Sequence, residues 1–246
     1  MLITRNAASV LEPCLESLAF ADEIVVVDSG STDTTVEIAG RRGARVVQKE
    51  WLGFGRQKQF AVEQAKHDWV LCLDADERVS GELAASIGRA LAAPASPVYR
   101  MPRRNRFLGR WLAHGEGYPD WNVRLFDRRR ARWSDDPVHE HVLADGPVAR
   151  LDGDLLHASA ESIDDYVAKQ NRYTSLQAEA MHARGERAGF ARLALSPIAR
   201  FLRFYVVKLG FLDGAAGFAH IAIGAFASFL KYAKLRALNA RAGGAG

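Results

Sequence analysis

Cysteine is scarce in this chain of 246 residues, and the marks of a secreted protein are absent. Cys14 and Cys72 lie far apart and fit no metal-binding or redox spacing, so we interpret both as reduced thiols in a protein core. The N-terminal residues "MLITRN" contain no charged region followed by an apolar stretch, and no secretory signal is expected. We therefore expect the protein to stay on the cytosolic side of the membrane.

Repeats and low-complexity linkers are also absent, apart from the tail "NARAGGAG", which we predict to be disordered. A hydrophobic content of 48% excludes a disordered protein and suits one large domain with an appendage. Acidic residues are few in two segments. Residues 100–132 hold ten arginines against three carboxylates, and residues 181–246 hold ten basic residues against two. Basic surfaces suit phosphate-bearing ligands, nucleic acid or an anionic membrane, unless they are simply solvated.

The first hundred residues alternate short β-rich runs with helical patterns. Strands are predicted at 2–4, 23–29, 44–48 and 69–74, and helices at 9–20, 32–43, 56–65 and 80–92. Gly43 suits a helix stop and Ser80 a helix N-cap. This alternation predicts an α/β fold, a parallel sheet with helices on both faces. The first strand is short, which leaves open an upstream start.

After Pro97 the pattern becomes shorter and irregular, which predicts a mixed or antiparallel continuation of the sheet. The predicted strands lie at 98–102, 122–127, 138–143 and 148–157. A helical pattern follows from Ser162 to Gly185.

Ligands of parallel α/β sheets bind outside the carboxyl ends of the strands. The residues directly after predicted strands are Thr4, Arg5 and Asn6, then Asp28, Ser29 and Gly30, then Asp74 to Glu77. We expect all of them to converge on one edge of the sheet.

The stretch "WVLCLDADERVS" ends a buried strand with several charges, among them Asp74 and Asp76. Two carboxylates held close together resist joint ionisation unless a cation neutralises them. Hard oxygen ligands favour a magnesium or manganese ion that leaves positions open for phosphate oxygens. The sequence therefore predicts a metal and diphosphate site here; the alternative is a solvated turn.

Eight blocks of the sequence carry a resemblance to known proteins: "LITRN", "DEIVVVDSGSTDTTVEIA", "GFGRQKQFAVEQA", "WVLCLDADERVSGEL", "YPDWNVRLFDRR", "VHEHV", "GFLDGAAGF" and "FLKYAKL". They resemble the blocks of family 2 glycosyltransferases, and more narrowly those of the bacterial branch with the lipopolysaccharide inner-core β-1,4-glucosyltransferases. The resemblance implies a GT-A fold, a Rossmann-like mixed sheet, over residues 1–160. It also implies a UDP-sugar donor, most simply UDP-glucose, a Mg²⁺ or Mn²⁺ ion, and a lipid-linked saccharide acceptor. It implies no nucleic acid partner.

The resemblance also assigns roles to residues. Asp28 would meet the base or ribose of the donor, and Asp76, Asp74 and His157 would hold the metal; a hydrogen-bonded histidine is the alternative for His157. The further donor contacts would be Thr4, Arg5, Asn6, Ser29, Lys58 and Asp74, and Arg124 would either touch phosphate as well or pair with the carboxylates. Lys58 follows "GFG" near a predicted helix start, where the helix N-terminus and nearby cations suit phosphates, although it could be merely exposed.

Inversion at the anomeric carbon, which the resemblance implies, needs a carboxylate base at the acceptor hydroxyl. The candidates are Asp120, Asp135, Asp136 and Glu140. We favour Glu140, because a strand through "VHEHV" places it opposite His139 and His141. In the loop before residue 122, Tyr118 and Trp121 could stack on a sugar ring or simply pack.

Residues 161–246 form a predicted helical region. The apolar run at 214–230 falls short of a bilayer span, and the flanking basic residues suit a helix pair on the cytosolic membrane surface. Contact with the catalytic domain or a second copy of the chain is the alternative. A polyprenyl-phosphate glycosyltransferase and an inactive membrane-bound scaffold are the rival functions. A sugar nucleotidyltransferase would need a glycine-rich loop where this chain has "TRNAAS".

Overall fold

A computed structural model describes residues 1–136, 140–158 and 162–243. Their contacts divide the chain into two compact units. The first unit comprises Met1–Arg103 and Asp120–His157, and the second comprises Arg104–Pro119 and Ala158–Gly246. A functional boundary at residue 160 stays a prediction.

The elements follow in chain order as β1 (Leu2–Thr4), α1 (Ala8–Glu16), β2 (Val25–Asp28), α2 (Thr35–Arg41), β3 (Arg45–Gln48), α3 (Phe54–Glu63), β4 (Trp69–Leu71), β5 (Leu73–Asp74), β6 (Glu77–Val79), α4 (Gly81–Ala92) and β7 (Val98–Phe107). They continue with β8 (Arg110–Trp111), β9 (Asp120–Asp127), β10 (Ala131–Trp133), β11 (Val142–Ala144), β12 (Val148–Arg150), β13 (Leu155–His157), α5 (Ile163–Ala183), α6 (Phe190–Leu202) and α7 (Gly214–Gly243). A π-helical turn at Arg203–Val207 and a 3₁₀ turn at Gly210–Asp213 lie between α6 and α7.

The predicted parallel sheet is confirmed, with strand order β3, β2, β1, β5. Val25, Val26 and Val27 of β2 are completely buried, as expected of a parallel strand covered on both faces. The predicted helix signals are also confirmed. Ser80 accepts a hydrogen bond from the backbone N–H of Leu83, and Gly43 follows the end of α2 with a φ of 75°.

The prediction of one strand over residues 69–74 is wrong, because the chain changes sheets at Cys72. The N–H of Cys72 donates to the carbonyl of Arg124 on β9, whereas the N–H of Leu73 donates to the carbonyl of Met1. β4 thus pairs antiparallel with β9, and β5 pairs parallel with β1. The two sheets of the first unit therefore meet at the start of the acidic stretch.

The second sheet has the order β4, β9, β7, β13, β6, with β12 also beside β7, which confirms the predicted mixed continuation. The predicted strand at 138–143 is confirmed at 142–143 and wrong at 140–141, and residues 138 and 139 lie outside the described residues. Glu140 and His141 precede β11, which begins at Val142 and pairs with β10.

In the second unit, α5 begins and ends within two residues of the predicted helix. The predicted disorder of residues 239–246 is wrong as far as Gly243, where α7 ends. Among the described residues, one segment, Gly210–Ala242, is long and apolar enough by length and composition to cross a membrane, and half of its most apolar window is buried. The apolar run at 214–230, which is short for a bilayer span, is part of this longer segment.

Candidate active site

Asp28 ends β2 and is completely buried. Its carboxylate accepts hydrogen bonds from the hydroxyl of Thr4 at 3.0 Å, from the hydroxyl and N–H of Ser31 at 2.5 and 2.8 Å, and from the N–H of Gly30 at 3.0 Å. Burial alone would raise the pKa of Asp28, but these hydrogen bonds to the charged form outweigh it and lower the pKa. Asp28 thereby fixes the loop after β2 against the end of β1.

The chain after β1 is tied to the same loop. Asn6 has a φ of 51°, and its side-chain oxygen accepts from the N–H of Thr32 at 2.8 Å. The side chain of Gln57, completely buried in α3, donates to the hydroxyl of Ser29 at 3.0 Å. Arg5 is exposed beside them. The predicted convergence of the first two strand ends therefore holds.

Asp74, at the end of β5, lies between two buried cations. Its Oδ1 is 3.2 Å from Nζ of Lys58, and its Oδ2 accepts from Nη2 of Arg124 at 2.7 Å. Burial opposes ionisation, but the positive charges of Arg124 and Lys58 outweigh it and hold the pKa of Asp74 well below its usual range. Asp74 is therefore a fixed anion whose oxygens are both occupied by protein cations.

A bulge in β9 aims Arg124 at this corner. Tyr99 pairs with Leu125 and Arg100 with Val123, so Arg124 is the extra residue of β9. Its Nη2 also donates to Glu77 at 2.7 Å, and the carboxylates of Asp74 and Glu77 raise the pKa of this buried guanidinium against the effect of burial. The side chain of Arg124 thus links two carboxylates of the acidic stretch.

Glu77 is completely buried and organises the turn before β6. Its carboxylate accepts from the N–H of Asp74 at 3.0 Å and from Arg103 at 3.4 Å. Arg103 in turn donates two hydrogen bonds to Oδ2 of Asp120, at 2.9 and 2.7 Å. Asp120, one of the candidate bases, is therefore in an ion pair with Arg103.

Asp76 points to a different partner, since its Oδ2 lies 3.2 Å from Nε2 of His157 on β13. Burial opposes ionisation of Asp76, but the hydrogen bond and charge of His157 outweigh it and lower the pKa. Two ligand atoms at right angles about a small divalent ion, each ~2.1 Å from it, are about 3 Å apart. The pair therefore fits a shared metal ion.

No group of three or more His, Cys, Asp or Glu side chains that could hold a metal occurs in residues 1–136, 140–158 and 162–243. A site on Asp76 and His157 would leave the remaining positions to water and substrate, as is usual for Mg²⁺. Asp74 would have to release Lys58 or Arg124 to become a direct ligand.

Lys58 also contacts the predicted base. It lies in the second turn of α3 rather than at the helix N-terminus, and its Nζ donates to Oε1 of Glu140 at 2.9 Å and lies 4.8 Å from the ring centre of Trp133. Gly55 allows α3 to lie close to the segment that carries Ser134, because a Cβ at residue 55 would be only 2.1 Å from the carbonyl oxygen of Ser134.

The connected cluster carries more negative than positive charge. Its cations are Lys58, Arg103 and Arg124, and its carboxylates are Asp74, Asp76, Glu77, Asp120 and Glu140. Counting His157 as positive, as in its ion pair with Asp76, four positive charges face five negative ones, an excess of one. A site of this charge suits a divalent cation.

The structure brings most predicted residues together and adds others. Gln57 and Arg103 were not among the predicted site residues, and Glu77 was expected at this edge of the sheet but was assigned no role. The sequence could have indicated Glu77, because it is a third acidic residue directly after Asp74 and Asp76. Nothing in the sequence distinguishes Arg103 from the other nine arginines of residues 100–132.

Comparison with known proteins identifies the kind of enzyme. The sequence profile of glycosyl transferase family 2 matches residues 1–142. The chain is therefore a glycosyltransferase, and its mixed α/β architecture is the predicted GT-A fold. It belongs to glycosyl transferase family 2, as its motifs indicated.

Relatives cover most of the chain. A lipopolysaccharide core biosynthesis glycosyltransferase, LpsC of Rhizobium meliloti, is 34% identical over 83% of this chain and 78% of its own length. An uncharacterized glycosyltransferase of Rickettsia typhi is 33% identical over 98% of this chain and 87% of its own length. Among solved structures, residues 1–349 of Staphylococcus aureus TarS align with a TM-score of 0.49 at 15% identity, covering 98% of this chain and 90% of that one.

Proposed function

We propose that this enzyme is a metal-dependent, inverting glycosyltransferase that moves a hexose, most simply glucose, from a UDP-sugar to a membrane-linked saccharide. The observation that carries the proposal is the acidic stretch after β5, where Asp76 faces His157 and the surrounding cluster has more carboxylates than cations. The relative in lipopolysaccharide core biosynthesis supports a core heptose as the acceptor.

Asp76 and His157 would hold a Mg²⁺ or Mn²⁺ ion. A bound divalent ion would supply positive charge for the diphosphate that leaves the sugar. Asp74 acts beside them as an anchor that keeps Lys58 and Arg124 in place, and these cations add positive potential near the phosphates.

The nucleoside part of the donor would bind at the neighbouring strand ends. The residues proposed to line that pocket are Thr4, Arg5, Asn6, Asp28 and Ser29, with Lys58, Asp74 and Arg124 nearer the phosphates. The hydrogen bonds that tie Asn6 to Thr32 and Gln57 to Ser29 support this assignment, because they hold the loops in one arrangement before a ligand arrives.

Glu140 is the proposed general base, which would take the proton of the attacking acceptor hydroxyl. Lys58 orients its carboxylate through the 2.9 Å hydrogen bond, and Trp133 packs beside Lys58. Of the other candidates, Asp120 is held by Arg103, and Asp136 pairs with His141 at 3.4 Å on an exposed surface.

The second unit supports a place on the cytoplasmic face of the bacterial inner membrane. Every residue of α6 is at least partly exposed, including Leu195 (61% exposed) and Ile198, and Val207 beyond it is 73% exposed. Exposed basic side chains, Arg192, Arg203 and Lys208, flank this surface. Apolar side chains beside cations are typical of helices in an anionic interface. A second copy of the chain is the other occupant to be tested.

A panel of UDP and GDP sugars tests the function. We expect nucleotide release from UDP-glucose that requires Mg²⁺ or Mn²⁺, and at least a hundredfold loss for Asp76→Ala. Transfer to a polyprenyl phosphate instead of a lipopolysaccharide core saccharide would establish the rival acceptor. No metal-dependent release from any sugar nucleotide would contradict the proposal.

A further inference from the structure

An exposed tryptophan lies beside two arginines in the first unit. Trp121 on β9 is 37% exposed, and its ring centre lies 5.3 Å from Cζ of Arg100 and 5.0 Å from Cζ of Arg150. Arg100 on β7 is the register partner of Arg150 on β12, so their side chains leave the sheet on the same face. The register of β7 with β9 places Trp121 opposite Pro102, two pairs beyond Arg100 and therefore on that same face.

Both guanidinium groups lack a counter-charge. Within residues 1–136, 140–158 and 162–243, no carboxylate lies within ion-pair distance of Arg100 or Arg150. By contrast, Arg103 on β7 and Arg124 on β9 are each held by two carboxylates. Nε of Arg100 is moreover buried without a hydrogen-bond partner. Like charges opposite each other on neighbouring strands destabilise a sheet, and a buried donor without a partner adds to that cost.

A bound anion would remove both costs. Paired guanidinium groups hold phosphate or carboxylate with several hydrogen bonds, and the partly exposed indole offers an apolar face. Trp121 lies three residues from Arg124 along β9, about 10 Å at ~3.3 Å per residue. The register also places Trp121 on the opposite face of the sheet from the neighbouring pair of Arg103 and Asp120, so the cluster does not overlap the acidic cluster that they join.

We propose that Arg100, Trp121 and Arg150 form a subsite for an anionic saccharide, with the arginines on its phosphate or carboxylate and the indole against its ring. The naming of this saccharide as part of the acceptor rests on the proposed function. Binding of an anionic saccharide at the subsite does not depend on the proposed function, because binding can be measured without sugar transfer.

Isothermal titration of the full chain with glucose 6-phosphate, glucose and inorganic phosphate tests the subsite. We expect glucose 6-phosphate to bind at least tenfold more tightly than either of the other two ligands. Arg150→Gln and Trp121→Leu should each weaken that binding at least tenfold, and Arg150→Lys should recover part of it. Arg130→Gln is the matched control, because Arg130 is an exposed arginine of the same unit outside the cluster.

Several outcomes would overturn the subsite. Equal binding by wild type, Arg150→Gln and Arg130→Gln would place the ligand elsewhere, and phosphate binding as tight as glucose 6-phosphate would indicate an anion site without saccharide recognition. Loss of phosphatidylglycerol vesicle binding in Arg150→Gln, with saccharide binding intact, would assign the cluster to lipid. Because Arg150 is exposed, its variants keep the test valid if Trp121→Leu does not fold.

Discussion

Lys58 and Glu140, 82 residues apart in the chain, are joined by a hydrogen bond of 2.9 Å between Nζ and Oε1. The same ammonium group lies 3.2 Å from Asp74, and the side chain of Lys58 is only 8% exposed. One cation therefore connects the proposed base to the acidic corner. The position of Glu140 depends on this contact, because Glu140 lies outside any strand.

Lys58→Met should destabilise the fold by about 2–4 kcal/mol, since it removes the cation that contacts Glu140 and one of the two cations that contact Asp74. Urea unfolding measures the loss. The double variant Lys58→Met with Glu140→Gln should recover part of it, because the repulsion is then reduced. Arg41→Ala, which removes an exposed pair with Glu37, is the control and should cost less than about 0.5 kcal/mol. Equal effects of Lys58→Met and Arg41→Ala would contradict the buried network.

Glu140→Gln should lower the rate of transfer about 10²–10⁴-fold while leaving the affinity for UDP-glucose within a few-fold of wild type. The amide preserves the shape of the side chain but cannot accept the proton. Single-turnover transfer and equilibrium binding of the donor separate the two effects. Normal transfer by this variant would move the base to Asp120 or Asp136.

Gly55→Ala should lower stability by about 1–3 kcal/mol and reduce transfer, because its Cβ would overlap the backbone oxygen of Ser134, which no side-chain rotation can relieve. Gly88→Ala is the matched helical control. Its Cβ meets nothing within 4 Å, so alanine should stabilise α4 by up to about 1 kcal/mol. Thermal unfolding should show a lower melting temperature for Gly55→Ala and a higher one for Gly88→Ala. Equal changes in melting temperature would contradict the close contact between Gly55 and Ser134.

Asp28→Asn should destabilise the fold in a pH-dependent way. The folded protein holds the pKa of Asp28 below its ordinary value, so the charged carboxylate contributes stability above about pH 4, and this stability is lost as the pH falls through the lowered pKa. The urea midpoints of wild type and variant should differ most at pH 7 and converge in acid. A difference that stays constant between pH 7 and pH 3 would show that the charge of Asp28 contributes nothing.

Leu195→Glu combined with Val207→Glu should weaken binding to phosphatidylglycerol vesicles at least tenfold, because two exposed apolar side chains are replaced by anions. Co-sedimentation with vesicles measures the effect. Phe20→Glu, an exposed apolar position of the first unit, is the control and should bind as wild type does. A concentration-dependent dimer that the double variant dissociates, with no vesicle binding by wild type, would assign the surface to a second copy of the chain.

Local patterns predicted the part of the fold that depends on short sequence segments. The apolar runs of β2 and β5 and the cap at Ser80 predicted the parallel sheet, and that sheet placed the Asp74 corner at its carboxyl edge. The change of sheet at Cys72 could not be predicted in this way, because it depends on which distant carbonyl accepts each N–H. The residues around Cys72 do not show which distant strand each N–H will pair with.

The same limit applies to the site. Arg124 is aimed by a bulge that depends on the register of two strands, and the partner of Lys58 comes from a segment far along the chain. Asp76 and His157 could be assigned together only through the family resemblance, which carries long-range information that a single sequence pattern lacks.

Titration of UDP into the full chain with and without Mn²⁺, for wild type, Asp76→Ala and the exposed control Asp22→Ala, tests the central claim most directly. The claim is that Asp76, beside His157, holds a divalent cation that binds the diphosphate of the donor. We predict that Mn²⁺ strengthens UDP binding at least tenfold in wild type and Asp22→Ala, and that Asp76→Ala abolishes this gain. UDP binding that is equally tight in EDTA, or a Mn²⁺ effect that survives in Asp76→Ala, would contradict it.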